Sequence, residues 1–190
     1  MTNKGYKIGL MGSSCSGKTT SAGILATELR LELYPEFESV MLAEWIKQGK
    51  VTDKTRMPPN VTKEFHESAL RLRETKSSNS RGYVSDRTAA DLLVYNRIYV
   101  QPHFPESYGA EFTARCKAIM ERYTHLFLFP RGVLPLEANG IRTVDSDYQL
   151  RVHTKLLEVL GDLRISYVSL SKERLSKQDR VEEIKSWLEI

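Results

Sequence analysis

Several features that define common protein classes are missing from this chain. Its 190 residues include two cysteines, Cys15 and Cys116, which have neither the spacing of a metal site nor the number needed for a disulfide framework. No apolar run approaches the length that crosses a bilayer, and Met1–Gly5 is too short and polar to serve as a signal peptide. The sequence therefore predicts a cytoplasmic protein in a reducing compartment, with no membrane partner.

Internal repeats, low-complexity segments and interdomain linkers are missing as well. A length of 190 residues suits one α/β domain with a real core and would be cramped for two domains. We therefore predict a single domain over residues 1–190. The net charge of +4 is mildly basic, which is compatible with phosphate-bearing ligands or nucleic acid and demonstrates neither.

What the chain does have is a glycine-rich stretch close to its start, GLMGSSCSGKTT over Gly9–Thr20. Its residues 12–19 match the pattern G-x-x-x-x-G-K-[ST] at every fixed position, after a predicted strand and at the start of a predicted helix. Glycines let successive backbone N–H groups turn toward phosphate oxygens, and the helix adds its positive amino-terminal end. The pattern predicts a P-loop that binds ATP through Gly12, Ser13, Ser14, Cys15, Ser16, Gly17, Lys18, Thr19 and Thr20.

Strands and helices alternate along the rest of the sequence. Short apolar runs predict strands over Tyr6–Met11, Leu31–Tyr34, Tyr83–Asp86, His125–Pro130 and Ile165–Leu170. Segments with helical spacing separate them and close the chain. This order predicts the α/β class, as a three-layer P-loop NTPase fold with a five-stranded parallel sheet and helices on both faces.

Charged residues follow two of these strands at the edge where ligands gather. Glu36 comes just after the second strand, and Asp86 and Arg87 end the third. A carboxylate at that edge can hold Mg²⁺ or its water, and an arginine can orient a substrate. The alternatives are a helix cap at Asp86 or Thr88 and an ordinary solvated acid at Glu36.

The segment after the fourth strand has the composition of a lid. Residues 131–145 are polar, contain glycine and proline, and include Arg131 and Arg142. Such a segment can close over phosphates, exclude water and bring guanidinium charge to the transferring group. An ordinary surface loop is the alternative. The chain also lacks a hydrophobic strand ending in Asp-Glu and a second subdomain, which argues against a motor-type ATPase.

With these motifs, the chain resembles the P-loop nucleoside and nucleotide kinases, and over its whole length the small family that includes the ribosylnicotinamide kinase domain. Ser85-Asp86-Arg87 is similar to the Asp-Arg or Glu-Arg pair of thymidylate and deoxynucleoside kinases, and Glu36-Phe37 to a Glu-Tyr pair of the smaller family. Gly140-Ile141-Arg142 is similar to that family's lid. The resemblance implies ATP-dependent phosphorylation of a hydroxyl on a nucleoside-type acceptor, a nucleoside or a nucleotide.

The expected catalytic residues are Lys18, Glu36, Asp86, Arg87, Arg131 and Arg142. Lys18 would neutralise the β- and γ-phosphates, and Thr19 and Asp86 would organise Mg²⁺ directly or through water. Glu36 is the candidate base or hydroxyl-orienting group, Arg87 would position the acceptor, and the two lid arginines would cover the transition state.

Two other functions remain open at the level of sequence. A related branch, among viruses that hypermodify their DNA, is thought to phosphorylate 5-hydroxymethyl pyrimidines within the polymer. In that case Lys63, His66, Arg73 and Lys76 on one helix could follow the DNA phosphates, although a solvated, salt-bridged face is the alternative. The other function is a nucleotide-dependent switch, in which ATP turnover needs no acceptor.

Overall fold

A parallel sheet of five strands forms the centre of the chain. The computed structural model describes residues 5–52, 57–132, 145–173 and 176–189. The strands are β1 (Lys7–Met11), β2 (Glu32–Tyr34), β3 (Tyr83–Asp86), β4 (His125–Leu128) and β5 (Val168–Ser169). The helices are α1 (Lys18–Leu29), α2 (Phe37–Lys47), α3 (Pro59–Asn79), α4 (Ala89–Tyr99), α5 (Glu106–Met120), α6 (Ser146–Leu163) and α7 (Lys177–Trp187), with a 3₁₀ turn at Gln101–His103.

The strand order β2-β3-β1-β4-β5 brings the ends of three strands together. All pairings are parallel; Leu10 of β1 lies opposite Asp86 of β3, and Met11 lies opposite Leu128 of β4. The loop after β1 and the residues after β3 therefore leave the sheet side by side. The predicted five-stranded parallel sheet is confirmed.

Helices cover both faces of the sheet. On one face Leu10 and Phe127 pack with residues of α1 and α7, and on the other face Met11 and Leu128 pack with residues of α4, α5 and α6. Because successive side chains of a strand point to opposite faces, each central strand contributes to both cores. This is the three-layer arrangement that the alternation of elements predicts.

Two helices are longer than the sequence indicates. α3 continues to Asn79, and in its last turns the hydroxyls of Ser77 and Ser78 donate to the carbonyl of Glu74, which also accepts from Arg122. α5 begins at Glu106, although Pro105 and Gly109 suggest a loop up to residue 110. Proline is compatible with the start of a helix, where its missing N–H would have no partner, and one glycine is tolerated inside a helix.

Other boundaries shift by only a few residues. α2 begins at Phe37, directly after Glu36, and β5 narrows from the predicted Ile165–Leu170 to Val168–Ser169. Ser176 caps the last helix, since its hydroxyl accepts from the Asp179 N–H at 3.0 Å. None of the helices within the described ranges is long and apolar enough to span a bilayer.

Candidate active site

The loop between β1 and α1 has the backbone of a phosphate cradle. Gly12 has φ of 137° and Gly17 has φ of 90°, and between them Cys15 has φ of 54°. A side chain at Gly12 would also meet the carbonyl oxygen of Phe129 at 3.0 Å. Glycine is therefore required at this position for both its conformation and its close approach to β4.

Lys18 lies at the amino-terminal end of α1 and folds back over the loop. Its Nζ donates to the Ser13 carbonyl at 2.6 Å and to the Ser16 hydroxyl at 3.0 Å, and the residue is only 5% exposed. Burial, followed by the nearby charge of Arg87, lowers the pKa of the Lys18 ammonium to about 8. The ammonium is therefore still charged at neutral pH, where phosphate oxygens would be its natural partners.

Two distant side chains hold the loop from outside. Gln149 of α6 donates to the Ser14 carbonyl at 2.7 Å, and Arg180 of α7 donates to the Ser16 carbonyl at 2.8 Å. Since a peptide group is planar and trans, the N–H that follows each carbonyl points the opposite way. These two bonds therefore help to fix the direction of the loop amides. Neither residue is part of a local motif, so the sequence offers no signal for them.

Asp86 and Thr19 together offer the oxygen ligands that Mg²⁺ prefers. Asp86, the last residue of β3, is 3% exposed, and burial raises the pKa of its carboxyl group while a hydrogen bond with the Thr19 side chain opposes that rise. No cluster of three or more His, Cys, Asp or Glu that could hold a metal is found in the described part of the chain. A hydroxyl with one carboxylate fits Mg²⁺, which usually keeps several waters and takes phosphate oxygens.

Arg87 connects the predicted site residues on the other side. Its Nε lies 2.6 Å from the Glu36 carboxylate, and its Nη1 lies 3.8 Å from that of Asp91. The backbone of Arg87 has φ of 73°, a strained value for a residue with a side chain. Its N–H donates to the Leu10 carbonyl, and its own carbonyl accepts from Ser85 and Arg73. Strain held in this way is common at functional sites.

Asp91 is a site residue that the sequence analysis did not identify. Thr88 caps α4 in a capping box with Asp91, and this pair has the [ST]-x-x-[DE] spacing by which it could have been found. The Asp91 carboxylate also accepts from the Gly12 N–H at 3.2 Å, which no local pattern indicates. Asp91 thus joins the P-loop, the start of α4 and Arg87.

Replacing Asp91 with asparagine is expected to lower the free energy of unfolding by about 1–3 kcal/mol. The carboxylate is 4% exposed and accepts from Gly12, from the Thr88 N–H and from the Thr88 hydroxyl, and an amide cannot replace all of these bonds. Urea denaturation measures the change. Asp162→Asn is the matched control, because the Asp162 side chain is 60% exposed and its ion pair with Arg97 should contribute less than about 1 kcal/mol. Equal losses in both variants would contradict a linking role for Asp91.

The predicted lid is only partly described. Arg131 comes three residues after the end of β4 and lies near α6, where its charge adds to burial in lowering the pKa of His153. Arg142, Gly140 and Ile141 lie outside the described residues, as does most of the segment 131–145. The structure therefore brings together Lys18, Glu36, Asp86 and Arg87, while the lid role of the two other arginines stays a prediction.

A cavity of about 530 Å³ opens beside this cluster of charges. Glu36, Arg87 and Asp91 form its charged end, and α2, α3, α4 and α6 supply the other walls. Aromatic and imidazole rings line those walls, from Phe65, His66, Tyr95, Tyr99, His103 and Tyr148. A cavity with a mainly apolar wall and a few convergent polar groups is typical of a small-molecule site.

The basic residues of α3 do not form one open face. Arg73 is 3% exposed and binds the Glu38 carboxylate with both Nε and Nη2, at 2.8–3.1 Å, while its guanidinium lies 5.2 Å from the Phe37 ring. His66 is buried as well, and the Lys63 ammonium lies over the Phe104 and Tyr108 rings. Helical spacing alone places these basic residues on one face of α3, whereas tertiary packing buries two of them.

A protein family described as an AAA domain matches residues 7–180, which is most of the chain. The chain belongs to this AAA domain family. No curated protein sequence matches it significantly. The match covers the P-loop, β3 with Asp86 and Arg87, and α7 up to Arg180.

Solved structures show the same fold for this AAA domain. Deoxyadenosine kinase from M. mycoides with bound dCTP superposes with a TM-score of 0.64 at 13% identity, over 96% of this chain and 98% of that chain. The YorR protein of Bacillus subtilis, in complex with phosphorylated GDP, gives 0.62 at 14% identity, over 96% and 95%. The NadR protein in complex with NR gives 0.64 at 16% identity, over 97% of this chain and 51% of that chain. The fold is thus that of the small P-loop kinases.

Proposed function

We propose that this AAA domain is a kinase that transfers the γ-phosphate of ATP to a hydroxyl of a nucleoside-type acceptor. The observation that carries the proposal is that the same charged side chains lie beside the P-loop lysine and line the cavity. The charges of Arg87, Asp91, Asp86 and Glu36 all act on the Lys18 ammonium, and Glu36, Arg87 and Asp91 also line the cavity. A molecule in the cavity would therefore lie next to phosphates held by the loop.

Each side chain has a distinct part in the proposed reaction. The loop amides and Lys18 hold the β- and γ-phosphates, and Glu36 orients the acceptor hydroxyl and takes its proton. Arg87 positions the acceptor, and Arg131 and Arg142 cover the transition state from the lid. Thr19 and Asp86 would hold Mg²⁺, which would supply positive charge close to the transferring phosphate. Catalysis of this kind depends mainly on positioning and electrostatics.

The charges around the cavity favour a nucleoside over a nucleotide as the acceptor. Among the described residues that line it, the single arginine or lysine is Arg87, which is already paired with Glu36. Glu38 also lines the cavity and is paired with the buried guanidinium group of Arg73. Three lining carboxylates therefore face two guanidinium groups, and an acceptor phosphate would add negative charge without gaining a free cation from the lining that the structure describes.

The experiment that tests the proposal is a transfer assay with γ-labelled ATP. Nucleosides, their 5′-monophosphates and 5-hydroxymethylated DNA are each offered as acceptor at two salt concentrations. We expect a phosphorylated nucleoside, at least about tenfold lower kcat/KM for the matching monophosphate, and little effect of salt. Affinity for a DNA acceptor would instead fall steeply as salt rises, because its phosphates release counterions.

Two outcomes would overturn the proposal in different ways. ATP hydrolysis that no acceptor accelerates, with no labelled product, would indicate a nucleotide-dependent switch. A labelled DNA product formed with steep salt dependence would indicate the polymer as acceptor and exclude the free nucleoside.

A further inference from the structure

His66 is a polar residue of the cavity that the proposed mechanism does not use. It lies on α3, is 6% exposed and lines the cavity together with Phe65, whose ring centroid is 6.1 Å away. A buried imidazole beside a mainly aromatic wall must have its hydrogen-bonding groups satisfied by the protein or by a ligand.

Three hydrogen bonds fix the orientation of the Asn96 side chain, which contacts His66. Gln101 donates from Nε2 to Oδ1 of Asn96 at 3.2 Å, and Asn96 donates from Nδ2 to the Tyr108 hydroxyl at 2.9 Å. Asn96 is fully buried. Its oxygen is thus turned toward Gln101, and its NH₂ group is turned toward Tyr108 and His66.

The orientation of Asn96 determines the tautomer of His66. Nδ2 of Asn96 lies 3.4 Å from Nδ1 of His66, and because an amide NH₂ group can only donate, Nδ1 acts as the acceptor. A neutral imidazole carries one N–H, which must then be on Nε2. Burial lowers the pKa of His66 to about 4, against the opposing charge of Glu38, so the ring is neutral near pH 7.

We propose that His66 is a specificity-determining residue, whose Nε2–H donates to a carbonyl oxygen or an unprotonated ring nitrogen of the acceptor's base. Nδ1 faces the buried Asn96, so Nε2 is the ring nitrogen that can donate into the cavity that His66 lines. This inference rests on the proposed function, because it takes the cavity as the acceptor site. A base without such an atom would leave a buried donor without a partner, which typically costs about 10- to 100-fold in kcat/KM.

The tautomer is tested first, without reference to activity. Nitrogen-15 NMR of the histidine side chains, with His66→Gln to assign the signal, is expected to show the hydrogen on Nε2 at pH 7. Asn96→Asp should move it to Nδ1, because a carboxylate accepts and cannot donate. A hydrogen on Nδ1 in the unmodified protein would overturn the proposal.

Kinetics test the role of the donor. The nucleoside that serves best in the transfer assay is compared with deaza and carbonyl-free analogues of the same base. His66→Phe should raise the acceptor KM by about 10- to 100-fold with the ATP KM unchanged, and the analogue that lacks the recognised atom should lose its disadvantage. His66→Gln, whose amide can donate, should retain most of the discrimination.

The outcomes separate this proposal from the proposed function. Discrimination that is unchanged in His66→Phe, in a protein that still phosphorylates nucleosides, would overturn the role of His66 alone. A protein that phosphorylates no acceptor at all would overturn the proposed function, and with it the role of His66. Circular dichroism of both variants shows whether the fold is retained, and the NMR result stands independently of them.

Discussion

Replacing Lys18 with alanine is expected to reduce phosphoryl transfer by about 10²-fold or more and to weaken ATP binding. The Lys18 ammonium is the charged side chain held within the loop, bonded to the Ser13 carbonyl and the Ser16 hydroxyl. Asp86, Asp91 and Glu36 all act on it, so its removal leaves these carboxylates facing the phosphates with less positive charge. Product formation and titration with a non-hydrolysable ATP analogue measure the two effects.

The pH dependence of the unmodified protein gives a second measure of Lys18. Because burial lowers the pKa of Lys18 to about 8, kcat/KM for ATP should fall as pH rises through that value and the ammonium loses its charge. Lys117→Ala is the matched control for the substitution. Lys117 is exposed on α5, and its ion pair with Glu121, at 3.9 Å, is long and contributes little. Near-normal turnover in Lys18→Ala would show that the loop is not a nucleotide site.

The P-loop and the strand-end charges could be predicted because both depend on local sequence and on one rule of topology. The spacing of Gly12, Gly17 and Lys18 is local, and the positions of Glu36 and Asp86 follow once parallel strands share an edge. The structure places Glu36 within 2.6 Å of Arg87, next to the strand that carries Asp86. The family match and the kinase folds agree with the predicted P-loop fold.

The supporting residues could not be predicted because their contacts span most of the chain. Gln149 reaches a loop carbonyl 135 residues away, and Arg180 reaches another 164 residues away. Asp91 combines a predictable and an unpredictable contact. Its capping box with Thr88 has a recognisable local spacing, whereas its hydrogen bond with the Gly12 N–H has no local sequence pattern. Arg73 illustrates the same limit. Its spacing on α3 suggested an exposed basic face, whereas in the structure Arg73 is buried and paired with Glu38.

Glu36→Gln is expected to lower kcat by about 10²-fold or more while changing the KM for ATP by less than about threefold. Glutamine keeps the size of the side chain but cannot take a proton from the acceptor hydroxyl. It also removes the charge that pairs with Arg87 at 2.6 Å, so part of the loss should appear as weaker acceptor positioning. Steady-state kinetics with each substrate varied in turn separate the two parameters.

Asp86→Asn is the comparison that distinguishes the two carboxylates. Asp86 shares a hydrogen bond with Thr19, so its replacement should raise the Mg²⁺ concentration needed for half-maximal rate, and added Mg²⁺ should restore part of the activity. Glu36→Gln should not respond to Mg²⁺, because we assign its role to the acceptor oxygen. Equal and metal-insensitive losses in the two variants would remove the separate roles, and an unchanged kcat in Glu36→Gln would exclude Glu36 as the base.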